Sequence, residues 1–211
     1  MIDSQSPQQR LTNQGGIYER GLLCSECDGS IGFLDNYAYS VLPEIPDESK
    51  IQPLPELKKL SIYKIGEIDV PKFHQFIVSL VWRSGISNAP FFKHVKLGPF
   101  EARLRDYLLA GILHLKPEVG VVITLFRPPD FDKIMWPPSR VKFDGINVFI
   151  FYLYPWKLVI KLDRRPFNHP FDKLSLSAGL PALAVIQNFL SRGEIAALLD
   201  VRNKVRNALT M

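Results

Sequence analysis

The chain has 211 residues, 46% hydrophobic and 22% charged, with a net charge of +5. That composition excludes a disordered or collagen-like polymer and fits one domain large enough to bury a core. The excess of base is compatible with nucleic acid or an anionic surface as partner without requiring either.

Residues 1–15 are rich in Gln, Ser, Asn and Pro and read as a flexible tail, which leaves 16–211 as a single globular domain. The first ten residues lack the apolar stretch of a signal peptide, and no later run approaches the ~20 apolar residues of a membrane span. A cytoplasmic protein with no membrane partner is the expectation. The cysteine usage agrees: there are only two, Cys24 and Cys27, too few for a disulfide scaffold.

In chain order, 18–24 predicts a short strand that feeds the Cys-x-x-Cys, and Asp28-Gly29 a turn after it. Ile31, Leu34, Tyr37, Ala38 and Val41 recur at helical spacing and predict a helix over 31–42, so that 16–45 forms a knuckle-and-helix subregion. A Pro-rich connector with Pro43, Pro46, Pro53 and Pro55 follows, then a strand over 60–65. Asp69 as cap and Pro71 in the first turn open the clearest amphipathic helix, with Phe73, Phe76, Ile77, Leu80 and Val81 on one face and an end near Gly85. His74 falls on the flank of that stripe, which predicts a partly exposed side chain.

Gly98-Pro99 opens a further helix, with Phe100, Leu104, Tyr107 and Leu108 on one face and Glu101 and Arg105 paired on the other. The β-branched run 119–126 predicts a buried strand, and 146–152 with 157–163 a hairpin. In its second arm Leu158, Ile160 and Leu162 alternate with Lys157, Val159, Lys161 and Asp163, which predicts one buried and one mostly solvated face. Residues 173–176 predict a short strand, and 182–209 a helical C-terminus broken near Gly193. Helices, then strands, then helices favour an α+β fold: N-terminal knuckle and helices, a mainly antiparallel central sheet and a helical end.

Two constellations carry chemistry. Cys24-Ser25-Glu26-Cys27 supplies two thiolates, half of the four ligands of a closed structural zinc site. His74, His94, His114 and His169 are the remaining candidates, and none has the paired spacing of a second half-site. An ordinary pair of reduced cysteines is the competing reading. A redox pair is disfavoured, because the flanks show no helix start that would lower a thiol pKa. The second constellation is basic: Lys157, Lys161, Arg164 and Arg165 along one strand and its exit, with Arg202, Lys204 and Arg206 near the C-terminus. On a regular strand the two lysines would lie ~7 Å apart on one face, a spacing suited to backbone phosphates. Arg83, beside Trp82, is a further candidate phosphate contact, or else a cation that complements the C-terminal end of its helix. No phosphate-cradling Gly loop, no G-x-S-x-G and no H-E-x-x-H is present.

Gly21-Leu22-Leu23-Cys24-x-x-Cys27-Asp28 followed by Asp35-x-Tyr37, the stretch 76–87, Phe91-Phe92-x-x-Val95-x-Leu97-Gly98-Pro99 and 142–147 together resemble a family of uncharacterised bacterial proteins. Fuller members of that family resemble HNH endonucleases, with an earlier Cys-x-x-Cys and a His-containing segment. The region before Cys24 holds neither cysteine nor histidine, so the resemblance implies a degenerate, non-catalytic HNH-like module. Such a module would bind nucleic acid or a nucleic-acid-associated partner in bacterial defence. The alternatives are a metal-dependent nuclease whose site is completed by a second chain, in a homodimer or with another protein, and a protein-interaction subunit with no nucleic-acid role. An upstream start to translation would be a further source of the missing zinc ligands.

Overall fold

The computed structural model describes residues 19–43, 46–53, 61–110, 118–126, 137–143, 145–168, 171–177, 180 and 182–187. Its elements are α1 (Ser25–Val41), β1 (Ile51–Pro53), β2 (Ser61–Gly66), α2 (Val70–Ile86), α3 (Phe100–Leu109), β3 (Val119–Phe126), β4 (Ser139–Phe143), β5 (Ile146–Leu153), β6 (Trp156–Leu162), α4 (Phe171–Leu174) and β7 (Ala182–Gln187). The seven strands form one sheet in the order β1-β2-β7-β3-β6-β5-β4. Every neighbouring pair is antiparallel except β3 with β7, so the fold is α+β with a mainly antiparallel sheet. No helix among the described residues is long and apolar enough to cross a membrane.

β3 organises the sheet. All eight of its residues are buried. Val119, Val121, Ile123 and Leu125 face the layer of α1, α2 and α3, together with Phe149, Phe151, Leu158, Ile160, Ala182 and Ala184 from its neighbours. Val122 faces the other way, with Ile62, Ile146, Val148, Phe167 and Leu174. A strand apolar in every position belongs at the centre of a sheet covered on both sides.

α2 is the core helix. The Asp69 carboxylate accepts the Lys72 N–H at 3.0 Å, and the proline sits in the first turn where no N–H is needed. Phe73, Ile77, Val78 and Val81 are wholly excluded from water. Each contributes roughly 1.5–3 kcal/mol by burial. Two polar links hold α1 against α2: the Arg83 guanidinium forks onto Asp35 at 2.6 and 2.8 Å, and the Asp69 N–H donates to the Tyr37 hydroxyl at 2.6 Å. Trp156 ties the connector to the sheet, its Nε1–H donating to the Pro43 carbonyl at 2.9 Å.

The structure corrects the sequence reading at several places. Residues 19–23 form a turn and bends, not a strand; Gly21 takes φ 78, and the Glu19 carboxylate accepts from the Ser87 hydroxyl and the Asn88 N–H. The first helix begins at Ser25, six residues before its apolar stripe. Residues 171–174 are a short helix, and Ser175 makes an isolated antiparallel β-bridge to Val122. Residues 182–187 are strand β7, inserted between β2 and β3: Ala182 and Ala184 fill the helix side while Leu183 and Val185 face the opposite cluster, a period of two that dominates over helical spacing. β4 went unpredicted behind Pro137 and Pro138, as did β1 within the connector. The tail 1–15, His114, His169 and the expected helical segment 188–209 lie outside the described residues.

Helix α2 approaches Leu97 so closely at Gly85 that a Cβ there would overlap the leucine side chain. In an open helix Gly→Ala stabilises by about 0.5–1 kcal/mol. Here Gly85→Ala is expected to destabilise by about 1–3 kcal/mol through overpacking, measured by urea unfolding. Trimming the neighbour (Leu97→Val) should cost less in that background than in the wild type, a coupling that a double-mutant cycle reads.

Candidate functional site

The two sequence-predicted constellations occupy separate places. Cys24 is the N-cap of α1, so the Cys-x-x-Cys lies on the first turn of a 17-residue helix. The Cys27 N–H donates to the Cys24 Sγ at 3.3 Å, and the Asp28 N–H closes the first helical bond to the Cys24 carbonyl at 2.9 Å. Cys24 is exposed and Cys27 half-buried. Hydrogen bonds from the Cys27 backbone N–H and then from its thiol pull the Cys24 pKa below that of an ordinary thiol. Donation to Cys24 and then burial push Cys27 above it. Glu26, in the same turn, works against the thiolate at both positions. The helix start that the flanking sequence concealed is thus present, and it removes the reason for disfavouring a redox pair.

As zinc ligands the two cysteines supply half a site. Among the described residues no three of His, Cys, Asp and Glu gather in a group able to hold a metal ion. His74 is 1% exposed, not on a partly open flank; its Nε2 lies 3.3 Å from the Val119 carbonyl and its ring packs edge-on against Tyr107. That histidine joins α2 to β3 in the core, far from a ligand role at α1.

The basic strand differs from its expected form. Lys157 and Lys161 do share a face of β6, but that face is covered: they are 4% and 3% exposed. The Lys157 ammonium donates to the Gln187 side-chain carbonyl beside the Phe126 ring. The Lys161 ammonium donates to the carbonyls of Asp163 and Arg165 at 2.6 and 2.7 Å, over the Phe167 ring. Burial lowers its pKa. Gly120 makes the room, since a Cβ there would lie 2.8 Å from both Lys161 Cε and Phe167 Cε2. Neither lysine presents its ammonium to solvent for a phosphate.

Arg83 is likewise engaged, by Asp35. Arg105 pairs with Asp106 at 3.1 Å. Arg165 folds back on Asp163, whose carboxylate accepts from the guanidinium at 2.7 and 2.9 Å and from the Arg165 N–H at 2.9 Å. The guanidinium first, and the N–H second, hold the Asp163 carboxyl far below the usual range. The other guanidinium contact, 3.2 Å to the Gly145 carbonyl, draws the 163–165 loop beside the turn after β4. Arg164 is exposed at that loop, and Arg140 and Lys142 are exposed on β4, the sheet edge.

No family model, curated protein or solved structure matches this chain.

Sequence reasoning missed Arg140 and Lys142. Their signal was the alternation of Ser139, Val141 and Phe143 with two cations, a half-buried edge strand's pattern. Arg202, Lys204 and Arg206 lie outside the described residues.

The pairing at Asp163 sets a pH dependence. Its folded pKa is depressed, so its contribution to stability is present above the unfolded value of about 4 and is lost as pH falls below it. Asp163→Asn is expected to lower the unfolding midpoint near neutral pH, with a gap to wild type that narrows between about pH 5 and about pH 2. A gap that stays constant over that range would assign the effect to shape and not to charge.

Proposed function

We propose that the chain is a non-catalytic module that binds nucleic acid through the end of its sheet formed by β4 and the 163–165 loop. The observation that carries this is the Arg165–Gly145 hydrogen bond, which brings exposed Arg164 to the turn that ends the edge strand bearing exposed Arg140 and Lys142. Arg165 belongs to the same loop, but its guanidinium is paired with Asp163 at 2.7 Å. Arg140 and Lys142 are two residues apart on one strand, about 7 Å, a separation suited to successive phosphates. The net charge of +5 supports encounter with a polyanion. The HNH-like resemblance supports the same class of partner.

A nuclease would need more than this surface offers. Phosphodiester hydrolysis by a metal requires several hard or imidazole ligands around one ion. Cys24 and Cys27 are two soft donors with no third ligand beside them among the described residues, so the catalytic alternative needs ligands from outside those residues, as from a second chain.

Electrophoretic shift or fluorescence anisotropy with labelled duplex DNA, single-stranded DNA and RNA tests the proposal. Three phosphate contacts predict log K falling against log salt with a slope of about −2.7 on duplex DNA. Reversing the charges together (Arg140→Glu, Lys142→Glu and Arg164→Glu) should weaken binding at low salt by at least about tenfold and flatten the slope. Lys157→Met should leave the slope unchanged, because its ammonium is already enclosed. Wild-type protein that fails to bind any of the three probes at low salt, or a triple variant that binds as tightly as wild type, overturns the reading.

A further inference from the structure

The first turn of α1 holds two thiols in unequal positions. Cys24, at the N-cap, opens to solvent; Cys27, three residues on, lies half-buried behind it and directs its backbone N–H at the Cys24 sulfur from 3.3 Å. The arrangement contains both parts of a dithiol couple: an accessible sulfur that meets an oxidant first, and a shielded sulfur one turn along the same helix that resolves the product. It is more than a helix N-terminus, because the second thiol supplies the intramolecular partner. It is less than a zinc site, because two donors stand without a third among the described residues. The helix beneath is anchored by Ile31, Leu34 and Ala38 in the core and by the Asp35–Arg83 pair, so both sulfurs ride on a fixed frame.

We propose that Cys24 and Cys27 form a reversible dithiol–disulfide couple, with Cys24 as the attacking thiol and Cys27 as the resolving thiol, and with a small-molecule disulfide as oxidant. The site is separate from the basic end of the sheet and does not depend on the nucleic-acid reading.

The chemistry balances in two exchanges. Cys24, as thiolate, attacks one sulfur of the oxidant; the oxidant's S–S bond breaks, a mixed disulfide forms on Cys24, and the departing thiolate takes up the proton that Cys24 lost to solvent. Cys27 then gives its proton to solvent, and its thiolate attacks the Cys24 sulfur. The mixed disulfide breaks, the Cys24–Cys27 bond forms, and the second departing thiolate takes up that proton. Two cysteine thiols are oxidised by two electrons, and one disulfide is reduced to two thiols. An added dithiol reductant runs both steps in reverse.

Full-length protein incubated with glutathione disulfide, quenched with an alkylating agent and weighed intact by mass spectrometry tests this. The wild type should lose both alkylatable thiols without retaining glutathione, and should recover them with a dithiol reductant. Cys27→Ser should accumulate the mixed disulfide on Cys24. Cys24→Ser should react at least about tenfold more slowly than Cys27→Ser, since the shielded thiol is left alone. Serine is itself a good N-cap, so the helix start persists in Cys24→Ser, and matching circular dichroism and urea midpoints confirm the fold of both variants. The proposal is overturned if the wild type keeps two free thiols in glutathione disulfide, or keeps a stable mixed disulfide. It is also overturned if the purified protein carries zinc on both sulfurs and reacts only after chelation, which would assign the pair to a metal site.

Discussion

A sheet that is apolar on both faces has to be covered twice, and that requirement shapes most of this molecule. β3 is its strictest expression, with no residue that tolerates water. The helix layer of α1 to α3 covers one side, and Phe167 together with α4 helps cover the other. The second covering decides the fate of β6. Its lysines lie on the side where the outer layer sits, so their stems contribute apolar contact and their ammoniums must find acceptors inside. Gln187 and the carbonyls of Asp163 and Arg165 fill that need, and Gly120 yields the volume of a side chain to let the Lys161 stem pass.

Local signals were legible where one force dominated. The α2 stripe with its Asp69 cap, α3 after Gly98-Pro99, the uninterrupted β3 run and the β5–β6 hairpin all follow from spacing and capping alone. Legibility failed where long-range partners chose between two tolerable local states. Ala182, Leu183, Ala184, Val185 and Ile186 suit a helix or a strand, and what selects the strand is the open position between β2 and β3, with Ala184 packed to 0% exposure. The start of α1 was hidden for another reason. Its first turn carries Glu26 and Asp28, which complement the helix dipole, but no apolar residue marks it, so periodicity alone begins the helix too late.

Charge was legible as composition and illegible as surface. Of the cations singled out from the sequence, five lie among the described residues, and four of those are held by other groups: Arg83 by Asp35, Lys157 by Gln187, Lys161 by two backbone carbonyls, and Arg165 by Asp163 and Gly145. Asp35 lies 48 residues from Arg83 in the chain, and Gln187 lies 30 from Lys157. Only Arg164 stands exposed without a described fork or cage, which moves the weight of any polyanion contact to the sheet edge. An edge strand gains from cations in any case, because they discourage pairing with a second sheet. Arg140 and Lys142 therefore serve the fold whether or not a polyanion binds, and they are inexpensive positions on which to build such a site.

The cysteines show the same lesson from the opposite direction. As a motif, Cys-x-x-Cys is ambiguous between metal and redox chemistry, and the ambiguity turns on backbone shape. A turn that converges two sulfurs toward a common point favours a metal; a helix start that puts one sulfur at the cap and the other inside the first turn makes them unequal. Here the buried Ile31, Leu34 and Ala38 fix the body of the helix, whose first turn begins at Ser25, and the cap falls on Cys24. The inequality of the two thiols is thus a consequence of core packing a full turn away. A closed metal site would need two further ligands beside these sulfurs, whereas exchange with a disulfide uses the unequal pair as it stands.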